Sequence, residues 1–140
     1  MFAEFDESLI TGNEMIDSQH KELISRINQL LSKCETSEDQ FAAIKMLDYL
    51  SDYVEFHFGE EEKLQEEIGY PGIKEHKEKH AEFKETVAAL RNMLEEEEGP
   101  SAAFVSQVQH HVIDWLYGHI KGFDRSVAEY RFITENPAML

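Results

Sequence analysis

Apolar residues recur every three or four positions along four stretches of the chain, and each stretch reads as one face of a helix. The first, about 17–34, carries Ile16, His20, Ile24, Ile27, Leu31 and Cys34, with Asp17 placed to cap its start. The second, about 38–67, carries Phe41, Ile44, Leu47, Leu50, Val54, His57, Glu61 and Leu64, and Ser37 with Gln40 reads as its capping box. The third, about 73–98, carries Ile73, His76, His80, Phe83, Val87, Leu90 and Leu94. The fourth, about 101–130, carries Phe104, Val108, His111, Trp115, His119, Ile120 and Phe123. Gly69-Tyr70-Pro71-Gly72 and Gly99-Pro100-Ser101 are stop-and-turn signals between them. No stretch alternates like a strand. Long helices with short connections predict an all-α, up-down-up-down antiparallel four-helix bundle in a single domain, 1–140. Residues 1–16 break the stripe and read as an arm that packs by Phe2, Phe5, Met15 and Ile16. The tail beyond Tyr130, with Asn136-Pro137, reads as a short packed or frayed end.

Composition narrows the setting. Hydrophobic residues make up 41% of 140 residues, enough for one packed core and too many for a disordered chain. The start of the chain lacks the basic and apolar regions of a signal peptide, and no apolar run approaches the roughly 20 residues of a membrane span. The single cysteine, Cys34, has no internal partner and reads as a small buried hydrophobe in a reducing, cytoplasmic setting. A formal net charge of −16 argues against nucleic acid and anionic membranes as partners. Monomer and weak homo-oligomer both fit.

The polar members of the apolar stripes carry the chemistry. His57 with Glu61, and His76 with His80, are four residues apart, which places each pair about 40° apart on one helix face. His20 stands on the first stripe. His119 and Asp124 are five apart, about 140° on an ideal helix, so Asp124 must swing inward or the helix must distort. Burying five imidazoles and two carboxylates in a dry core costs too much unless cations accept their lone pairs. Seven ligands exceed the four of a structural zinc site and are too rich in nitrogen for calcium or magnesium. Without thiolates, copper(I) and iron–sulfur clusters fit poorly. Two first-row ions sharing two carboxylates fit, iron most naturally. The Glu-x-x-His pattern of carboxylate-rich di-iron bundles is absent. Fewer anionic ligands stabilise high-valent iron less, which favours oxygen binding over oxygen activation. His110 and His111 have no ligand partner and read as surface or hydrogen-bonded histidines.

The segments Ile16-Asp17-Ser18-Gln19-His20, His57-Phe58-Gly59-Glu60-Glu61-Glu62, His76-Lys77-Glu78-Lys79-His80, and Asp114-Trp115-Leu116-Tyr117-Gly118-His119-Ile120 with Asp124 resemble the hemerythrin family, in particular its single-domain bacterial members. The resemblance covers nearly the whole chain. It implies one iron on His76, His80 and His119 and another on His20 and His57 with an open position. Glu61, Asp124 and an oxo or hydroxo group would bridge the two. It implies reversible O2 binding for storage, delivery or scavenging, with Phe58, Trp115, Leu116 and Ile120 as an apolar pocket wall and no catalytic residue. Family members often carry a tryptophan in the arm where this chain has Phe5. Two other functions use the same residues: a di-iron peroxidase or nitric-oxide or peroxide reductase, and an oxygen or iron sensor acting through another chain.

Overall fold

Helix ends are set where side chains satisfy the backbone groups that a helix leaves unpaired. The computed structural model describes residues 2–36, 39–97 and 100–136. These residues form four long helices and no strand. Helix α1 is Glu14–Thr36, α2 is Gln40–Ile68 and α3 is Ile73–Glu96. Helix α4 spans 102–135, with turns of π-helix at Gln109–Ile113 and Ile120–Asp124. They pack as the antiparallel bundle that the periodicity predicts.

Helix α1 begins three residues earlier than its stripe suggests. Asn13 Oδ1 accepts the Ile16 N–H at 3.0 Å, so Asn13 does the work expected of Asp17. Asp17 sits inside the first turn and folds back to accept from the Thr11 hydroxyl at 2.7 Å and from the Thr11 and Gly12 N–H groups. Met15 and Ile16, expected in the arm, are therefore helical. At the start of α2, Ser37 of the expected capping box lies outside the described residues. The Asp39 side chain accepts the Phe41 N–H at 3.0 Å. Gln40 instead donates to the carbonyls of Leu94, Glu95 and Glu97, tying α2 to the end of α3. Gly69 ends α2 at φ +66°, the left-handed conformation that favours glycine, and Tyr70 N–H closes the turn onto Gln65 O at 2.9 Å. Ser101 caps α4 through the Phe104 N–H at 3.0 Å. The last helix runs on to Glu135, past the expected end near Tyr130. Pro137 lies outside the described residues.

Of the arm's two aromatics only Phe5 packs against the core, and backbone clamps hold the rest. Asn28 clamps Ala3 by accepting its N–H at 2.8 Å and donating to its carbonyl at 2.9 Å. Tyr117 Oη accepts the Glu4 N–H, and Arg125 donates to Ser8 O and Ile10 O. Leu9 is buried in a short 3₁₀ turn, Glu7–Leu9, while Phe2 is exposed and Phe5 only half-buried under Lys21.

A large apolar cluster, with Leu30, Leu47, Leu94, Phe104 and Val108 at its centre, fills one end of the bundle. A small one, Ile16, Leu64, Val127 and Ala128, closes the other. On α1, α2 and α4 the polar ligand candidates fall between members of the two. Cys34 is half-buried at the end of α1; burial, then the charge of Glu35, pushes its thiol up to about 11, so it is not a reactive thiolate. No described helix is long and apolar enough to cross a membrane.

Candidate metal centre

All seven residues singled out by the stripes converge in one buried cluster. His20, His57, Glu61, His76, His80, His119 and Asp124 are each at most 5% exposed. Each imidazole turns Nε2 inward. His20 Nε2 lies 2.7 Å from Asp124 Oδ2, and His57 Nε2 lies 3.1 Å from Glu61 Oε2. His76 Nε2 lies 2.8 Å from Glu61 Oε1 and 3.0 Å from Asp124 Oδ1. His119 Nε2 is 3.1 Å from Asp124 Oδ1, and His80 Nε2 is 4.0 Å from Glu61 Oε1. The atoms fall into two sets whose members lie within 4.8 Å of one another: Glu61, His76, His80, His119 and Asp124 form one, and His20, His57, Glu61 and Asp124 the other. Both carboxylates belong to both sets.

The five-residue step on α4 is solved by the backbone. In the π-turn Ile120–Asp124, the Arg125 N–H reaches Ile120 O five residues back, so one extra residue fits in the turn. His119 and Asp124 thereby share a face. The earlier π-turn, where the Asp114 N–H donates to Gln109 O, shifts the buried stripe to Val112, Ile113 and Leu116. It also corrects the expected stripe: His111 is exposed, and Trp115 and Phe123 are only half-buried. His110 is exposed too, 3.5 Å from Asp114.

The protein alone does not satisfy this cluster. Both Glu61 oxygens, both Asp124 oxygens, His20 Nε2 and His80 Nε2 make no hydrogen bond, although several lie close to an opposite group. The short distances bring lone pairs together around common points, where hydrogen-bond directions are poor and cation coordination is good. Burial and neighbouring charge act on the same groups. Burial drives His57 down to about 4. Burial and the charge of His76 drive His80 down to about 2. Burial opposes a charged His76 as well, but the Asp124 and Glu61 carboxylates close to its Nε2 outweigh that and raise it to about 9. Glu61 rises to about 8, through burial and then the charge of Asp124. Burial also opposes the Asp124 charge, yet Glu61 and the imidazoles of His119 and His20 beside it hold it well below the carboxylate range. Protons on Glu61 and His76 thus stand where cations would balance the charge. The donor set of five imidazoles and two shared carboxylates fits a pair of first-row transition ions.

Residues around the ligands orient them. His57 Nδ1 donates to Gln19 Oε1 at 2.7 Å, and His80 Nδ1 donates to Glu62 Oε2 at 2.8 Å. The Gln65 amide faces His76 Nδ1 at 3.0 Å, and its Oε1 is left without a partner. A half-turn of that amide lets Oε1 accept the Nδ1 proton and frees His76 Nε2 for a cation. Gln19, Glu62 and Gln65 were not among the residues singled out from the sequence. Gln65, four residues after Glu61 on the same face, carries the signal that could have found one of them.

The four expected pocket residues divide. Phe58 lies flat on His80, with centroids 3.7 Å apart and planes at 3°. Trp115 stacks on His119 at 4.3 Å. Leu116 and Ile120 are buried in the large apolar cluster.

The family described as Hemerythrin HHE cation binding domain matches residues 11–130. The chain is 33% identical over 125 residues to a bacteriohemerythrin of Stenotrophomonas maltophilia, covering 89% of this chain and 78% of the relative. It is 29% identical over 121 residues to a myohemerythrin of Theromyzon tessulatum, covering 86% and 87%. A crystal structure of wild-type hemerythrin superposes with a TM-score of 0.78 at 26% identity, over 92% of this chain and 97% of the other.

Proposed function

This chain belongs to the hemerythrin family, and on that premise we propose that it binds dioxygen reversibly at a non-haem di-iron centre, as a carrier or store and not as an enzyme. The observation that carries this reading is the unequal division of ligands between two sets that share their carboxylates. His76, His80 and His119 with Glu61 and Asp124 would give one iron five protein atoms. His20 and His57 with the same carboxylates would give the other four. The poorer set would leave its ion one protein ligand short of the other, where a small ligand could bind.

When bound, the iron pair supplies the two electrons that dioxygen takes up and recovers them on release. The chain's own residues do the rest. Glu61 and Asp124, common to both sets, would hold both ions. Gln19 and Glu62 hold His57 and His80 with Nε2 inward. Phe58 and Trp115 lie flat on His80 and His119 and fix their planes. With Leu116 and Ile120 they form an apolar wall that excludes water and anions, which would leave the site ferric. A cytoplasmic setting suits the single half-buried thiol of Cys34.

Anaerobic loading with iron(II) should give about two irons per chain. Admitting oxygen should raise a visible charge-transfer band that degassing removes. A chain that takes up the metal but shows no band, or a band that never reverses, would overturn the reading; sustained turnover with a reductant would replace the carrier by an enzyme.

A further inference from the structure

The outer nitrogens of the ligand histidines are not treated alike. His57 Nδ1 faces the neutral amide of Gln19 and His76 Nδ1 that of Gln65. His20 Nδ1 is buried with no hydrogen-bond partner. His80 Nδ1 alone among these faces a carboxylate, Glu62 Oε2, at 2.8 Å. Glu62 follows Glu61 directly on α2, about 100° further round the helix. Glu61 therefore enters the cluster while Glu62 passes behind His80 and stays 24% exposed at its side chain, against 1% for His80. Its charge keeps part of its hydration and costs little to hold there.

The ring of His80 is constrained from two directions. Phe58 stacks on it nearly parallel and fixes its plane. A stacked ring can still turn over within that plane, which would bring carbon and nitrogen atoms to exchanged places. The hydrogen bond from Nδ1–H to Glu62 removes that freedom and leaves Nε2 with its lone pair toward the cluster. A carboxylate on Nδ1–H also makes the imidazole more basic than an amide does.

Resting on the di-iron reading above, we propose that Glu62 is a positioning residue for the three-histidine half of the centre. It locks His80 in the Nδ1–H tautomer and lends that half negative charge that the two-histidine half lacks. The consequence is an inequality between the ions. The position on His76, His80 and His119 takes metal more tightly and keeps the ferric state more readily than the position on His20 and His57.

The test compares the wild-type chain with Glu62→Gln and Glu62→Ala, using Gln19→Ala as a variant on the opposite half. Long-range proton–nitrogen spectra of ¹⁵N-histidine chains, as purified and after zinc loading, should show Nδ1–H on His80 in the wild type. Glu62→Ala should mix the tautomers, and Gln19→Ala should leave His80 unchanged. In iron-loaded chains, Glu62→Gln should keep both ions but shift the midpoint potential of one upward. Glu62→Ala should weaken one position about 10- to 100-fold, so that a chelator strips the chain from two ions toward one. An Nε2–H tautomer on His80, or potentials in Glu62→Gln that match the wild type, would overturn the proposal while leaving the di-iron reading intact. A wild-type chain that takes up no iron would overturn that reading instead, and the tautomer spectra would still decide whether Glu62 holds His80.

Discussion

The two ends of the bundle solve opposite problems with the same four helices. At one end Leu30, Leu47, Leu94, Phe104 and Val108 fill the space with side chains that need nothing but each other. Toward the other, before the small apolar cluster that closes it, seven polar side chains are buried as deeply, and several of their atoms make no hydrogen bond. The dry end is complete as folded. The polar end is complete only with a partner, so its stability depends on a ligand and on pH in ways that the dry end's does not.

The sharpest way to break this contrast is to remove the metal. A cation at a thousand times its dissociation constant adds about 4 kcal/mol per site. Chelation should therefore lower the melting temperature strongly, and Asp124→Ala, which cuts a ligand common to both sets, should abolish the difference between loaded and stripped protein. Equal melting temperatures for loaded and stripped wild type would mean that the polar end supports itself. The dry end should respond in the other way. Leu47→Ala should cost about 2–5 kcal/mol, and by the same amount with or without metal, as read from denaturant midpoints in both states.

A gentler effect comes from pH in the stripped protein. His76 at about 9 and Glu61 at about 8 lie above their ordinary values of 6.5 and 4.5. Their contributions are present at low pH and are lost as pH rises through those positions. His57 at about 4 and His80 at about 2 lie below 6.5, so their contributions are present above that value and lost as pH falls. Stripped protein should thus be most stable near neutral pH and weaken on both sides, with a flatter alkaline limb once metal has displaced the protons. Denaturation midpoints across pH 4–9 with and without metal would check this. The smallest effect should come from outside both ends: Phe41 is 79% exposed, and Phe41→Ser should change stability by no more than about 0.5 kcal/mol.

Much of this was legible in the sequence because both ends obey one periodicity. The stripes of α1, α2 and α3 carry their ligands at helical spacing, so His20, His57, Glu61, His76 and His80 could be placed on inward faces directly. The fourth stripe held at His119 and Ile120 but failed at His111, Trp115 and Phe123, since spacing assumes a constant turn and α4 takes an extra residue twice. Periodicity therefore favoured His111, which is exposed, over Val112 and Ile113, which are buried. It left Asp124 as a puzzle that only the backbone resolves. The residues behind the ligands were hidden for a different reason. Gln19 and Glu62 sit next to a ligand in sequence and look like solvent-facing positions until the neighbouring helix is in place. The arm followed backbone hydrogen bonds through Asn28, Tyr117 and Arg125, which hydrophobicity does not report.

The π-turn at Ile120–Asp124 makes α4 a ruler with an extra graduation. Closing that turn as ordinary α-helix, with every residue kept, would not be a local change. It would rotate the eleven residues Arg125–Glu135 by about 100° against everything before them. Arg125 would leave the arm carbonyls it now binds, and Val127 would leave Ile16 and Leu64. The additional residue is thus read from both directions, upstream by the ligands and downstream by the arm. A helix normally tolerates drift in length; here its count is part of the address.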